Sequence, residues 1–241
     1  MSAFTLRLIA SICMLLDHIG YCLHVEILRY IGRLAFPIYV FLMVNGFYHT
    51  RDRMRYAGRI ALFASLSQIP FSLFCTNTIY YSKLNVLMTL LLGLLVIWAG
   101  ESLMKHRYFR YISLLPALLV AGLCNFGLIH TDYGAKGILL ALVFWLFRGK
   151  PLWLTVGAFL AVWHGSLLSL VSDLLKGAAP TMPGQWEMVQ TFSLLSLPLI
   201  FLYNNKPGNL PQNPTAKKAI QLSFYAFYPI HMLILRFLFL Q

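Results

Sequence analysis

The longest polar break in this chain is Asn204–Lys218, and every other gap between its apolar runs is shorter. A chain patterned in this way has little choice of solvent. Hydrophobic residues make up 59% of its 241 residues and charged residues only 11%. Soluble domains carry about 25% charged residues, so a water-facing surface could not be covered. At roughly 20 residues per hydrophobic helix, the chain accommodates about nine spans, within a range of about 8–10. The apolar runs place them at 4–24, 28–48, 57–76, 84–103, 110–130, 134–148, 151–174, 189–203 and 219–240. The expected fold class is all-α, a polytopic transmembrane helical bundle. Residues 1–241 are expected to form a single integral-membrane domain, multi-pass in the cell (inner or cytoplasmic) membrane.

The formal net charge of +12 could point to nucleic acid, but the basic residues sit in short clusters between apolar runs. That is the pattern of cytoplasmic loops, so lipid headgroups and not nucleic acid are the expected surface partners. Loops after the second, fourth, sixth and eighth spans hold twelve Lys and Arg residues, and the alternate loops hold four. The twelve are Arg51, Arg53, Arg55, Arg59, Lys105, Arg107, Arg110, Arg148, Lys150, Lys206, Lys217 and Lys218. The positive-inside rule puts the N-terminus in the cytoplasm. The first apolar run contains Asp17 and His18 and lacks a small-x-small site, so it reads as a span and not as a cleaved signal. Cys13, Cys22, Cys75 and Cys124 lie in or beside apolar runs with no Cys-x-x-Cys pair, which argues against zinc and against a disulfide framework. No metal is expected.

Ionisable residues inside spans are costly and each is a candidate functional group. A tight hairpin near Val25 and Glu26 sets His18 level with Arg33, and Arg7 level with Asn45 near the cytoplasmic surface. Arg7 and His18 are eleven residues apart. That is three helical turns, so they share one face about 16 Å apart. Asp17 is rotated about 100° from His18 and is placed to bridge to Arg33, leaving His18 free as a general base. A histidine hydrogen-bonded between helices is the competing reading. His231 lies one turn after Tyr228 on the same face, and there helix packing and catalysis both stand. His164 and Gln68 read as structural, Gln68 through interhelical hydrogen bonds at the Pro70 kink. Asp132 either starts a helix or helps to bind an acceptor.

No Walker A loop, Gly-x-Ser-x-Gly elbow, His-Glu-x-x-His or Gly-rich dinucleotide fingerprint is present, so ATPase, serine hydrolase, zincin and Rossmann readings fall away. Met14-Leu-Leu-Asp17-His18-Ile-Gly20, Ile31-Gly-Arg33-Leu-Ala-Phe-Pro37, Asn45-Gly46 and His49-Thr50-Arg51 together resemble the TraX family. Ser67-Gln68-Ile-Pro70-Phe71, Asp132-Tyr133-Gly134 and Phe227-Tyr228-Pro229-Ile-His231 continue the resemblance in order, while 150–215 carries no such motif.

The family's named member acetylates the N-terminus of conjugative F-type pilin. The family is also similar to a wider class of integral-membrane acyltransferases, whose first helix carries a basic residue, ten residues and then a histidine. Arg7 and His18 fit that spacing. The resemblance implies an acetyltransferase using acetyl-CoA as co-substrate, with His18 as the catalytic histidine. Its acceptor would be a pilin-like N-terminus, or a lipid or glycan. On this reading acetyl-CoA phosphates meet Arg51, Arg55 or Arg59, with Arg7 and Asn45 at the same mouth. Arg33 or Tyr228 steadies the oxyanion, and Asp17 orients its surroundings or balances Arg33. The alternative is a small transporter or flippase that uses Asp17, His18 and Arg33 as a substrate path.

Overall fold

The computed structural model describes the chain apart from residues 106, 107, 110, 111, 209, 210, 212, 240 and 241, with backbone alone at 186 and 214. Arg107 and Arg110, counted among the basic loop residues, lie outside the described residues. The helices are α1 (Ala3–Leu23), α2 (Glu26–Gly32), α3 (Ala35–His49), α4 (Arg53–Thr76), α5 (Val86–Met104) and α6 (Leu115–Asn125). They are followed by α7 (Gly134–Leu146), α8 (Pro151–Leu175), α9 (Gln185–Thr191), α10 (Ser196–Phe201) and α11 (Pro214–Phe239). Among the described residues six stretches are long and apolar enough to cross a membrane: α1, Glu26–His49, α4, α5, α8 and α11 from Thr215. Three shorter apolar ones, α6, α7 and Glu187–Phe201, complete the nine expected segments.

Local chemistry sets where these helices start and break. Ser2 caps α1 by accepting from the Thr5 N–H, and Asp52 caps α4 through the Arg55 N–H. The second span is kinked at Arg33–Leu34, between α2 and α3. Pro37 supplies the reason, since it cannot donate to the carbonyl four residues back and its ring crowds that carbonyl. The fifth segment is shorter than its apolar run. Helix α6 has eleven residues and stops before Gly127, whose φ of 73° is the left-handed turn conformation glycine favours. The eighth is interrupted by a 3-10 turn over Phe192–Leu195.

Helix α3 is central, with nine of its fifteen residues buried, and it packs against α1, α5, α7 and α10. Leu6, Ile38, Phe47, Leu94, Ile138 and Phe144 fill the surrounding core. Leu152, Trp153, Val156, Phe159 and Leu160 of α8 point outward, as a lipid-facing surface requires.

The bundle has a basic end and an opposite end. At the basic end Arg148 lies over the Tyr48 ring at 4.3 Å, Arg53 over Phe47 at 4.1 Å, and the Ala3 N–H reaches the Lys206 carbonyl at 2.9 Å. At the opposite end Lys83 meets Asp132 and Lys136 meets Glu187. The clustering follows the alternation of loop charge read from the sequence.

Helices α1 and α2 approach closely through glycine. A Cβ at Gly32 would lie 2.2 Å from the Cβ of Asp17, and one at Gly20 would lie 2.8 Å from the Cβ of Leu28. Gly32→Ala is therefore expected to wedge the hairpin apart. It should destabilise the fold by about 1–3 kcal/mol, seen as a lowered midpoint in thermal unfolding in detergent; an unchanged midpoint would contradict this packing.

Candidate functional site

The α1–α2 hairpin brings Asp17 and Arg33 into a salt bridge, with their side chains only 15% and 5% exposed. Neutralising each other is what allows both to sit there, since an unpaired charge at that depth is expensive. Asp17 Oδ1 is buried without a hydrogen-bond partner, and Oδ2 takes the guanidinium. The hairpin thus sets the pair at one level, and the Pro37 kink turns Arg33 inward.

Helix α11 reaches the same level from the other terminus of the chain. His231, buried, places its Nε2 2.7 Å from Nδ1 of His18. Its own Nδ1 lies 2.7 Å from the Phe227 carbonyl oxygen. A carbonyl only accepts, so His231 Nδ1 carries the proton and Nε2 is left as an acceptor. His18 Nδ1 must then donate to it, and His18 Nε2 is left with an open lone pair. The two imidazoles stack with centroids 4.9 Å apart, Phe227 stacks on His231 at 4.7 Å, and Phe74 meets His18 edge-on at 5.2 Å. These rings hold His18 in one orientation.

His18, Asp17, Arg33 and Tyr228 line a cavity of about 590 Å³. It runs from Arg7, Arg59 and Lys218 at the basic end to Lys83 and Asp132 at the opposite end. His231 stands behind His18 and outside the lining. Other expected mouth residues sit elsewhere. Asn45 donates to the Tyr203 hydroxyl at 2.8 Å. Arg55 pairs with Asp52 at 3.0 Å with its side chain 85% exposed. Arg51 is exposed and also outside the lining.

In their place the basic mouth has Lys218, His49 and Gln221. In the sequence Lys218 reads only as loop charge. The signal that marks it is the spacing of Lys218, Gln221, Tyr225, Tyr228 and Met232, one face of α11 and all in the lining.

At the opposite rim, Lys83 Nζ lies 2.8 Å from Asp132 Oδ1, and the Leu84 N–H donates to the His130 carbonyl at 2.7 Å. Burial works against the Lys83 charge, but the Asp132 carboxylate and its hydrogen bond outweigh burial and hold Lys83 above its ordinary value. The sign follows: the clip is intact at neutral pH and is lost as pH rises through the raised Lys83 value. Gln68 donates to the Lys83 carbonyl and accepts from the Asn85 backbone and side chain, so its amide ties α4 to the start of α5. His164 lies 3.0 Å from the Ala161 carbonyl through Nδ1 and is outside the cavity lining. Among the described residues no group of three or more His, Cys, Asp and Glu side chains gathers as a metal site.

The fold and site define a polytopic helical membrane protein with an internal chamber, an ion pair and a histidine pair enclosed within the bundle. This chain belongs to the TraX family, whose model, described as TraX protein, matches residues 2–239. It is 29% identical over 249 residues to a probable fimbrial assembly protein FimC, serogroup H1, of Dichelobacter nodosus, covering 97% of this chain and 94% of that relative. No solved structure matches it significantly.

Proposed function

We propose that this chain is an acetyltransferase of the cytoplasmic (inner) membrane, moving an acetyl group from acetyl-CoA to an amine or hydroxyl acceptor. The relative named for fimbrial assembly makes the N-terminal amine of a fimbrial or pilin subunit the first acceptor to try. One observation carries the reading: a single cavity joins three cations at the basic mouth to the open lone pair of His18.

Arg7, Arg59 and Lys218 receive the phosphates of acetyl-CoA by charge-assisted hydrogen bonds. The axial distance from Arg7 to His18, about 16 Å, is one that a pantetheine arm largely spans. His18 Nε2 takes the proton of the attacking amine or hydroxyl. His231 positions it, because the Phe227 carbonyl fixes which nitrogens carry protons. Asp17 and Arg33 neutralise each other beside His18.

The test is purified protein in nanodiscs with acetyl-CoA and an N-terminal peptide of the host's fimbrial subunit, read by intact mass. Gain of one acetyl group is expected; no transfer by the wild-type protein to any amine or hydroxyl acceptor sinks the reading. A transporter using the same chamber would instead give gradient-dependent uptake and no acetylated product.

Removing the mouth cations bears on the donor. A hydrogen bond to a charged group contributes about 1.5–3 kcal/mol, and 1.4 kcal/mol is tenfold in affinity. Arg59→Ala and Lys218→Ala should each raise the KM for acetyl-CoA about tenfold while kcat changes little, with the salt dependence of KM reduced. An unchanged KM in both variants would move the donor's phosphates elsewhere.

A further inference from the structure

We infer that the Tyr39 hydroxyl binds the pantetheine arm of the donor, through a hydrogen bond with the amide farther from sulfur. The inference rests on the acetyltransferase reading and adds a recognition residue to it.

Two observations converge on Tyr39. The first is its place in the chamber wall. Between the level of Asp17, His18 and Arg33 and the basic mouth, α1 and α3 line the chamber with Met14, Ala35, Phe36, Leu42 and Met43. Among the described residues, Tyr39 is the one polar side chain that these two helices add to that stretch. A hydroxyl in an apolar wall is costly unless it is hydrogen-bonded, and a polar ligand threading past gives this one a use.

The second observation is its depth. Tyr39 Oη lies 2.8 Å from Oγ of Ser11, a buried residue of α1. Ser11 follows Arg7 by four residues and precedes His18 by seven, so all three lie on one helix face. Along the axis Ser11 stands about 6 Å from Arg7 and about 10 Å from His18.

A pantetheine arm carries two secondary amides between its sulfur and its phosphate end. Extended backbone covers about 3.4 Å in three bonds, which puts the nearer amide carbonyl about 5 Å from sulfur and the farther about 9 Å. With the thioester at His18 and the phosphates at the basic mouth, the farther amide falls at the level where Ser11 holds Tyr39.

The pair also suits an amide by its chemistry. If Ser11 donates to Tyr39, the phenolic O–H is left for the amide carbonyl. If Tyr39 donates to Ser11, its lone pair is left for the amide N–H. An amide offers both and is satisfied in either sense. Ser11 fixes the hydroxyl before the arm arrives, which lowers the ordering cost of binding.

A bond that only tied α1 to α3 would matter equally for every donor, and the test turns on that difference. Acetyl-pantetheine keeps both amides without the nucleotide, whereas S-acetyl-N-acetylcysteamine keeps only the nearer amide. Activities are measured in nanodiscs with the peptide acceptor and normalised by folded fraction. Tyr39→Phe should lower kcat/KM about fivefold with acetyl-pantetheine, the size of one neutral hydrogen bond. With S-acetyl-N-acetylcysteamine kcat/KM should stay within about twofold of wild type, since that donor lacks the amide Tyr39 binds. An equal loss with both donors, or no loss with acetyl-pantetheine, overturns the assignment.

Tyr39→Phe leaves Ser11 Oγ buried without its partner, so Tyr39→Phe combined with Ser11→Ala guards against a folding defect. Removing both partners of a buried hydrogen bond can be nearly neutral for stability, and the double variant should show the same donor-dependent loss. If the single variant does not accumulate, the double variant decides on the same two outcomes. Failure of the parent reading looks different: wild-type protein would then transfer acetyl from neither thioester nor from acetyl-CoA, and the role of Tyr39 would fall with it.

Discussion

His18→Ala should lower acyl transfer about 1,000-fold, within the range of about 100- to 10,000-fold that a positioned general acid–base supplies, while the protein still inserts and accumulates. The expectation comes from proton placement. The Phe227 carbonyl accepts from His231 and His231 accepts from His18, so His18 alone presents a lone pair. Replacing His231 with leucine leaves His18 in place but frees it to take the other tautomer. The loss should be smaller, and the pH–rate profile should change shape, which a purely structural defect would not produce. Activity is measured on protein normalised by folded fraction, because the two imidazoles stack and each contributes packing. Undiminished transfer in folded His18→Ala would remove it from the chemistry.

Much of this architecture is legible in the sequence, and the reasons differ by element. Lipid leaves a helix no alternative to internal hydrogen bonding, so continuous apolar runs translate into helices. The alternation of basic loops then assigns their ends. The short link at Val25 fixes the register of two neighbouring helices, and Asp17 and Arg33 meet as that register requires.

What was hidden depends on rotation between distant helices. His18 and His231 are 213 residues apart, and nothing local states which face α11 turns toward α1. Lys218 was masked by its position in a cluster that also serves topology. The shortness of α6 was masked because the middle of the run 110–130 is apolar, and only Asn125 and Gly127 mark its end.

The largest stability effect is expected at Asp17 and Arg33. With side chains 15% and 5% exposed, the pair has little water to fall back on. Asp17→Ala leaves the guanidinium without its carboxylate and should cost about 3–5 kcal/mol, the usual penalty for removing one partner of a buried pair. Asp17→Leu combined with Arg33→Met removes both charges at similar volume and should regain most of that loss, since apolar replacement of a complete buried pair is often neutral or stabilising.

Thermal unfolding in detergent, with wild type, the single variants and the double variant run together, measures the coupling. Additive losses would mean that the two residues act separately and that other groups hold each charge. Activity of the double variant then divides scaffolding from chemistry. If it folds as well as wild type and still transfers acyl groups, the pair serves only to close the hairpin over His18. If it folds and transfers nothing, the field of the pair belongs to the reaction, because Asp17 precedes His18 on α1 and both face one chamber.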